Sequence, residues 1–292
     1  MTTQSTALHS RHRHRSPKRI LSRVLLYVVL IALAAFYVLP MYWMIRSSLM
    51  TSTQIASVRP YIYWPSEMLW QNYIDAMTYV PFMSYFLNTM YVIALVLAGT
   101  LITSTLAAFA FSRIEWRGRD LWFAILMTGL MLPSAVTIIP TYIGWSKLSA
   151  INTFWPLTLP AFFGGGIFNI FLLRQFFQSL PKELDEAAFV DGASYFQIYL
   201  RVILPLARPA VIVVALFRFL DVWNDYFGPI LYLNDPKKFT LAIGLLSFRG
   251  QYATKWNLVM AASTVVVLPC IIIFLFGQKQ LIEGIALTGL KG

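Results

Sequence analysis

Arg218, Asp221 and Asp225 stand at i, i+3 and i+7 within an otherwise apolar stretch, with Asn224 beside them. On a helix, that spacing puts the three ionisable groups on one face. Ionisable residues inside an apolar span are costly, and they face a bundle interior or an aqueous path. Two readings of this face are open. In one, Asp221, Asn224 and Asp225 exchange hydrogen bonds with the hydroxyls of a polar solute, while Trp223 and Tyr226 stack on a ring. In the other, Arg218 and Asp221 form an internal ion pair that holds helices together. An ion relay in a stand-alone secondary transporter is a competing use of the same group.

Covalent catalysis finds no comparable constellation. The only histidines are His9, His12 and His14, in a polar tail. Ser-His-Asp and Cys-His arrangements therefore have no base in the rest of the chain, and the tail reads as solvated chain before it reads as a metal site. No GxxxxGK[ST] loop is present to cradle a nucleotide phosphate. The single cysteine, Cys270, permits no intrachain disulfide and reads as apolar packing. The expected inventory is no catalytic residue, no metal site and no cofactor on this chain. That sets an intramembrane hydrolase or transferase aside.

The elements carrying these residues are apolar and long. Hydrophobic residues make up 58% of the chain and charged residues 12%, where a soluble domain carries about a quarter charged. No charge interrupts the runs from Arg23 to Arg46, Asp75 to Arg113, Asp120 to Lys147, Lys147 to Arg174 and Lys255 to Lys279. Each exceeds the roughly 20 residues that cross a hydrocarbon core. A sixth stretch carries the Arg218 group. Six helices are expected, at about 22–45, 84–111, 121–140, 156–174, 207–230 and 257–277. Long continuous runs, not alternating ones, favour an all-α integral membrane protein over a barrel. The first run is too long for a signal-peptide core, and no small-x-small site ends it, so it reads as a retained span.

Charge sets the expected orientation. If the N-terminus is inside, 15 of the 23 lysines and arginines fall on inside segments, which makes both termini cytoplasmic. The net charge of +11 is thus a topological signal, and nucleic acid is not an expected partner. Two regions follow: a basic tail, 1–20, and a membrane domain, 21–292. Within that domain Thr100, Ser104 and Ala108 form one small-residue face, and Gly99, Thr103 and Ala107 another; both suit close helix packing. Pro133, Pro140 and Pro160, with Gly164-Gly165-Gly166, should kink or interrupt the third and fourth helices. Tyr61, Tyr63, Trp64 and Trp70 read as an outer aromatic belt.

The inside loop at about 175–208 reads as two short helices. The first opens near Ser179–Pro181, with Glu183, Asp185 and Glu186 at its positive end. Leu184, Ala187 and Ala188 should share one face, and Gly192 should stop the helix. Ser194 and Gln197 have capping-box spacing for the second helix. Tyr195, Tyr199 and Val202 are its expected apolar stripe, and Pro205 turns the chain back into the membrane. An amphipathic hairpin on the bilayer surface and a docking element for a soluble partner both fit this pattern.

Glu186-Ala187-Ala188, three residues, Gly192, nine residues, Val202, one residue and Leu204-Pro205 together resemble the EAA loop of binding-protein-dependent ABC importer permeases. Valine stands where that motif has isoleucine. Trp223-Asn224-Asp225-Tyr226-Phe227 is similar to the W-N-E-F segment of the maltose-type (MalG-like, multiple-sugar) branch, and so is the ending from Glu283-Gly284 to Lys291-Gly292. The resemblance implies a six-helix, type I, MetI-like permease in a bacterial plasma membrane. Glu186, Ala187, Ala188, Gly192, Leu204 and Pro205 would couple it to an ATPase subunit, with Asp221, Trp223, Asn224, Asp225 and Tyr226 near the substrate path. It also implies the partners: a second homologous permease, two ATP-binding-cassette subunits carrying ATP and Mg, membrane lipid, and an extracellular binding protein that delivers a sugar. A polyol or a glycerophosphodiester is the alternative solute.

Overall fold

The first apolar run becomes α1, Pro17–Ser48. The computed structural model describes residues 17–57, 64, 65, 67–248 and 254–289. The Arg/His tail before Pro17, the belt positions Tyr61 and Tyr63, and the Lys291-Gly292 ending lie outside the described residues. Every α1 residue from Leu21 to Pro40 is exposed. Only its last turn is sunk into the protein, with Arg46, Ser47 and Ser48 buried. There α2, Gln71–Tyr79, closes over it. Asn72 Nδ2 donates to the carbonyls of Ser48 (2.8 Å) and Met50 (2.9 Å), and Asn257 donates to Asn72 Oδ1.

The central element is α3, Phe82–Arg113, which packs on most of the others. Its small faces do what the spacing predicts. Thr100, Ser104 and Ala108 are fully buried, and Thr103 Oγ1 donates to the carbonyls of Gly99 and Ala161. The partner of this face is the fourth span, which is interrupted as expected. It runs as a short helix Trp155–Thr158, a 3-10 turn Leu159–Phe162, a break, and then α6. Helix α6 spans Ile167–Ser179, with α4, Arg119–Thr128, and α5, Ser134–Lys147, preceding it. In the break Gly164, Gly165 and Gly166 all have positive φ, and a Cβ on Gly165 would stand 2.6 Å from the Thr100 carbonyl oxygen. The backbones of α3 and the fourth span thus meet where only glycine fits.

Two further spans are not single helices, the third as its prolines predict. The third, expected at 121–140, is broken at Leu132-Pro133, and its limbs α4 and α5 are bent by 99°. Leu132 is extended, as a residue before proline is. The fifth, expected at 207–230, is cut at both ends. The hairpin comprises α7, Glu183–Val190, and α8, Tyr195–Ile198, which continues to Leu206. It meets α9, Arg208–Asn224, at a 77° bend. Helix α9 then stops at Asp225, whose carboxylate accepts from the Gly228 N–H at 2.9 Å and opens α10, Phe227–Tyr232. After α11, Leu241–Leu246, the last described element is α12, Trp256–Gly289. Every regular element among the described residues is helical. Four helices are long and apolar enough to cross a membrane, and six are when each bent pair is one span.

Candidate functional site

The hairpin stands out from the end of the bundle. Its first arm starts later than the proline suggested. Lys182 is the N-cap of α7 and Pro181 lies before it, so the acids Glu183, Asp185 and Glu186 occupy the first turn itself. The three residues grouped by spacing, Leu184, Ala187 and Ala188, are divided between the surface and the bundle. Leu184 and Ala187 are exposed, and Asp185 and Ala188 are the residues turned to the bundle. A polar residue takes the inner face because Arg113 waits there: Arg113 Nη1 and Asp185 Oδ2 are 2.9 Å apart, both largely buried. The outward surface carries an apolar patch among the exposed acids Glu183 and Glu186. Leu184, Phe189, Val190, Tyr195 and Phe196 are exposed, Val190 at 88%.

The turn between the arms is a Schellman closure. Gly192 has φ +80°; its N–H donates to Phe189 O and that of Ala193 to Ala188 O, each at 2.9 Å. Ser194 then caps α8 with both capping-box bonds present. The apolar stripe of the second arm is shifted from the one expected. Tyr195 is exposed against Phe189, Val202 is half-buried, and Ile198, Tyr199 and Ile203 form the buried set. The cause is Pro205. Without an N–H it cannot bond Arg201, so the turn widens to a π-helical Tyr199–Ile203, with Leu204 N–H on Tyr199 O. Of the motif residues, Glu186, Ala187, Gly192 and Pro205 are exposed, and Ala188 and Leu204 are half-buried.

The polar face of α9 is a second candidate. Arg218 pairs with Asp221 one turn on along the same helix, with Asp221 open to its surroundings, so the pair itself joins no two helices. Asn224 is turned back to the Leu220 carbonyl. Arg218, Asp221 and Asp225 line one cavity with Thr89, Leu157 and Thr240, about 70 Å³ in volume. That is room for a few waters and too little for a sugar ring. Tyr226 is half exposed, but Trp223 is not available for stacking on a solute. It is 4% exposed, stacked on Phe219 at 5.4 Å and edge-on to Phe86. Its ring is part of the core formed by α3, α9 and α12. Trp223→Ala is accordingly expected to destabilise the chain by about 3–5 kcal/mol, read as a fall in thermal midpoint in detergent; a normal midpoint with a raised transport KM would restore the stacking role.

A larger recess of about 560 Å³ on the flank, lined by Tyr91, Leu95, Phe154, Trp155, Phe162 and Lys238 among others, was not signalled by any motif. Its Thr153 and Thr158 hydroxyls and Lys238 ammonium donate to backbone carbonyls of the chain itself. What it presents is aromatic surface.

Comparison with known proteins places the hairpin in context. Residues 99–286 match the family described as binding-protein-dependent transport system inner membrane component. The chain is 33% identical over 271 residues to the probable ABC transporter permease protein YurM of Bacillus subtilis, covering 92% of this chain and 87% of that one. It is 31% identical to the trehalose/maltose transport system permease protein MalG of Thermococcus litoralis, covering 94% and 99%. Its fold matches a chain in the crystal structure of a bacterial ABC transporter involved in alginate import, with a TM-score of 0.79 at 22% identity, over 91% of this chain and 98% of that one. The family is a translocating membrane component, not an enzyme. With two thirds of the chain matched and the EAA spacing intact on an exposed hairpin, the chain belongs to the binding-protein-dependent inner membrane components, the permease subunits of ABC importers.

Proposed function

We propose that the chain forms, with a second homologous permease, the path for a carbohydrate delivered by an extracellular solute-binding protein. Two partner ATP-binding-cassette subunits, carrying ATP and Mg, drive it through the hairpin of α7 and α8. The observation that carries this reading is the hairpin itself. Glu186, Ala187, Ala188 and Gly192 sit at motif spacing on a hairpin that exposes Leu184, Phe189, Val190, Tyr195 and Phe196. In water such a patch calls for a partner, and small residues beside it let that partner approach closely. ATP biases the cycle only through contacts that differ between its states, and an exposed two-helix tip is suited to making them.

The carbohydrate assignment is supported by relatives named for trehalose/maltose and arabinooligosaccharide transport, and by the W-N-D-Y-F segment. Asp221, Asn224, Asp225 and Tyr226 remain the residues proposed for the solute path, opened in another state of the cycle, with Trp223 supporting them from the core. A polyol or glycerophosphodiester fits the same polar groups. An ion-coupled secondary transporter leaves the exposed hairpin without a purpose. The excess of basic residues on the hairpin side supports a topology with both termini in the cytoplasm of a bacterial cell and the chain in its plasma membrane.

Val190→Glu tests the reading. At 88% exposure the change should leave the chain's own stability within about 0.5 kcal/mol. ATPase subunits that co-purify with the wild-type permease are expected to be lost at least tenfold. Retention at wild-type stoichiometry would reject the hairpin as the docking element.

A further inference from the structure

We propose that Arg113 is the positioning residue that makes the hairpin and the membrane bundle move as one body, an inference that rests on the coupling role proposed for the hairpin. Arg113 is the last residue of α3, and its guanidinium joins three elements. Nη2 donates to the carbonyls of Phe177 (2.6 Å) and Leu180 (2.9 Å), at the C-terminal end of α6, where a helix concentrates negative partial charge. Nη1 donates to Pro181 O at 3.4 Å and to Asp185 Oδ2 at 2.9 Å, in the first turn of α7. The Arg113 and Asp185 side chains are only 3% and 14% exposed, so solvent screens this contact little. The other pair nearby, Lys182 with Glu115, is 3.8 Å apart and open to water on both sides, and holds nothing comparable.

The second arm of the hairpin is tied to the same helix. The Tyr199 hydroxyl meets Thr105 Oγ1 at 2.8 Å, buried, and its ring packs on Phe109 at 5.4 Å. Thr105, Phe109 and Arg113 are successive i+4 positions, so they form one stripe along α3. Each arm therefore grips that stripe once, at points about 12 Å apart on the helix. Two separated grips transmit rotation as well as translation, which a single grip does not. The Arg113 contact is also poorly suited to stability alone. Arg113 Nε and Asp185 Oδ1 are buried without partners, and a buried ion pair left unsaturated is a weak stabiliser compared with apolar packing. Its geometry, which connects the end of α3, the end of α6 and the start of α7, is what an apolar replacement could not reproduce.

The test uses the assembled transporter in liposomes: this chain, its partner permease, the ATPase subunits and loaded binding protein. Two quantities are read per assembled complex, the ATPase rate stimulated by the binding protein and the solute accumulated per ATP hydrolysed. Asp185→Asn and Arg113→Gln are expected to retain the ATPase subunits but to lower solute per ATP at least tenfold. Arg113→Lys, which keeps the charge without the fork, should fall between them and the wild type. If Arg113→Gln fails to accumulate, Asp185→Asn, an isosteric change in the first turn of α7, carries the test. Fewer complexes with unchanged solute per ATP would mean a purely structural role and overturn the proposal. A wild-type complex with no stimulated ATPase would sink the coupling reading itself, and this proposal with it.

Discussion

Gly192→Leu is expected to yield a folded, membrane-inserted chain that transports at least twentyfold more slowly than the wild type. The two halves of that expectation rest on different facts. Gly192 is at φ +80°, yet no atom lies within 4 Å of where its Cβ would be. The penalty inside the chain is therefore left-handed backbone strain alone, about 1–2 kcal/mol, and it falls on the exposed tip of the hairpin, far from the core. The leucine side chain would project from the Schellman turn beside Phe189 and Val190, into the space a docking subunit must fill. Uptake into vesicles, normalised to permease in the membrane, reads the result. Wild-type accumulation by this variant would remove the hairpin from the transport cycle.

At Gly165 the balance is opposite. Gly165→Ala is expected to destroy the folded chain and not merely its activity. Here φ is +63°, and the added Cβ would lie 2.6 Å from the Thr100 carbonyl oxygen and 3.0 Å from Thr100 Cα. Both obstacles are backbone of a long, well-packed helix, so neither yields by rotating a side chain. Left-handed strain of about 1–3 kcal/mol adds to overpacking of about 1–3 kcal/mol. The Asn169 amide that donates to the Gly165 carbonyl at 2.6 Å is displaced as well. Thermal stability in detergent measures the loss. The control is Gly144→Ala in α5, where no atom lies within 4 Å of the new Cβ and helix propensity favours alanine by up to about 1 kcal/mol. Matching midpoints for the two variants would mean α3 and the fourth span do not approach closely.

Local features were legible in the sequence and distant ones were not. The Gly192 stop, the Ser194–Gln197 capping box and the Gly164–Gly166 break each depend on a few neighbouring residues, and each is present. The small faces of α3 are visible because helical period alone decides them. Asp185 is different. Its position in a first turn explained it as an acid at a helix dipole, and nothing local announces a cation 72 residues upstream. Spacing groups Leu184, Ala187 and Ala188, but it takes the distant Arg113 to decide which side of α7 turns inward. Trp223 was read as a solute platform because it neighbours Asn224 and Asp225 in sequence. Phe219, one turn before it, was the available sign that this side of α9 is core. The break at Leu132-Pro133 was announced by its proline; the one at Asp225 was not, because an apolar count runs straight through it to the point where backbone chemistry turns the chain.

The bare flank of α1 has a consequence for how the protein is made. From Leu21 to Pro40 every residue is exposed, and the segment's mean hydropathy, 2.6, is nearly the highest of the candidate spans. Its partition into lipid therefore owes nothing to later helices: transfer of its own side chains suffices. The fifth span, burdened with Arg218 and Asp221, has no such independence and must wait for neighbours to cover those charges. Insertion and assembly are thus separable in this chain. α1 commits to the bilayer as it is synthesised, and its single buried turn at Arg46–Ser48 gives the remaining helices a fixed point to collect around.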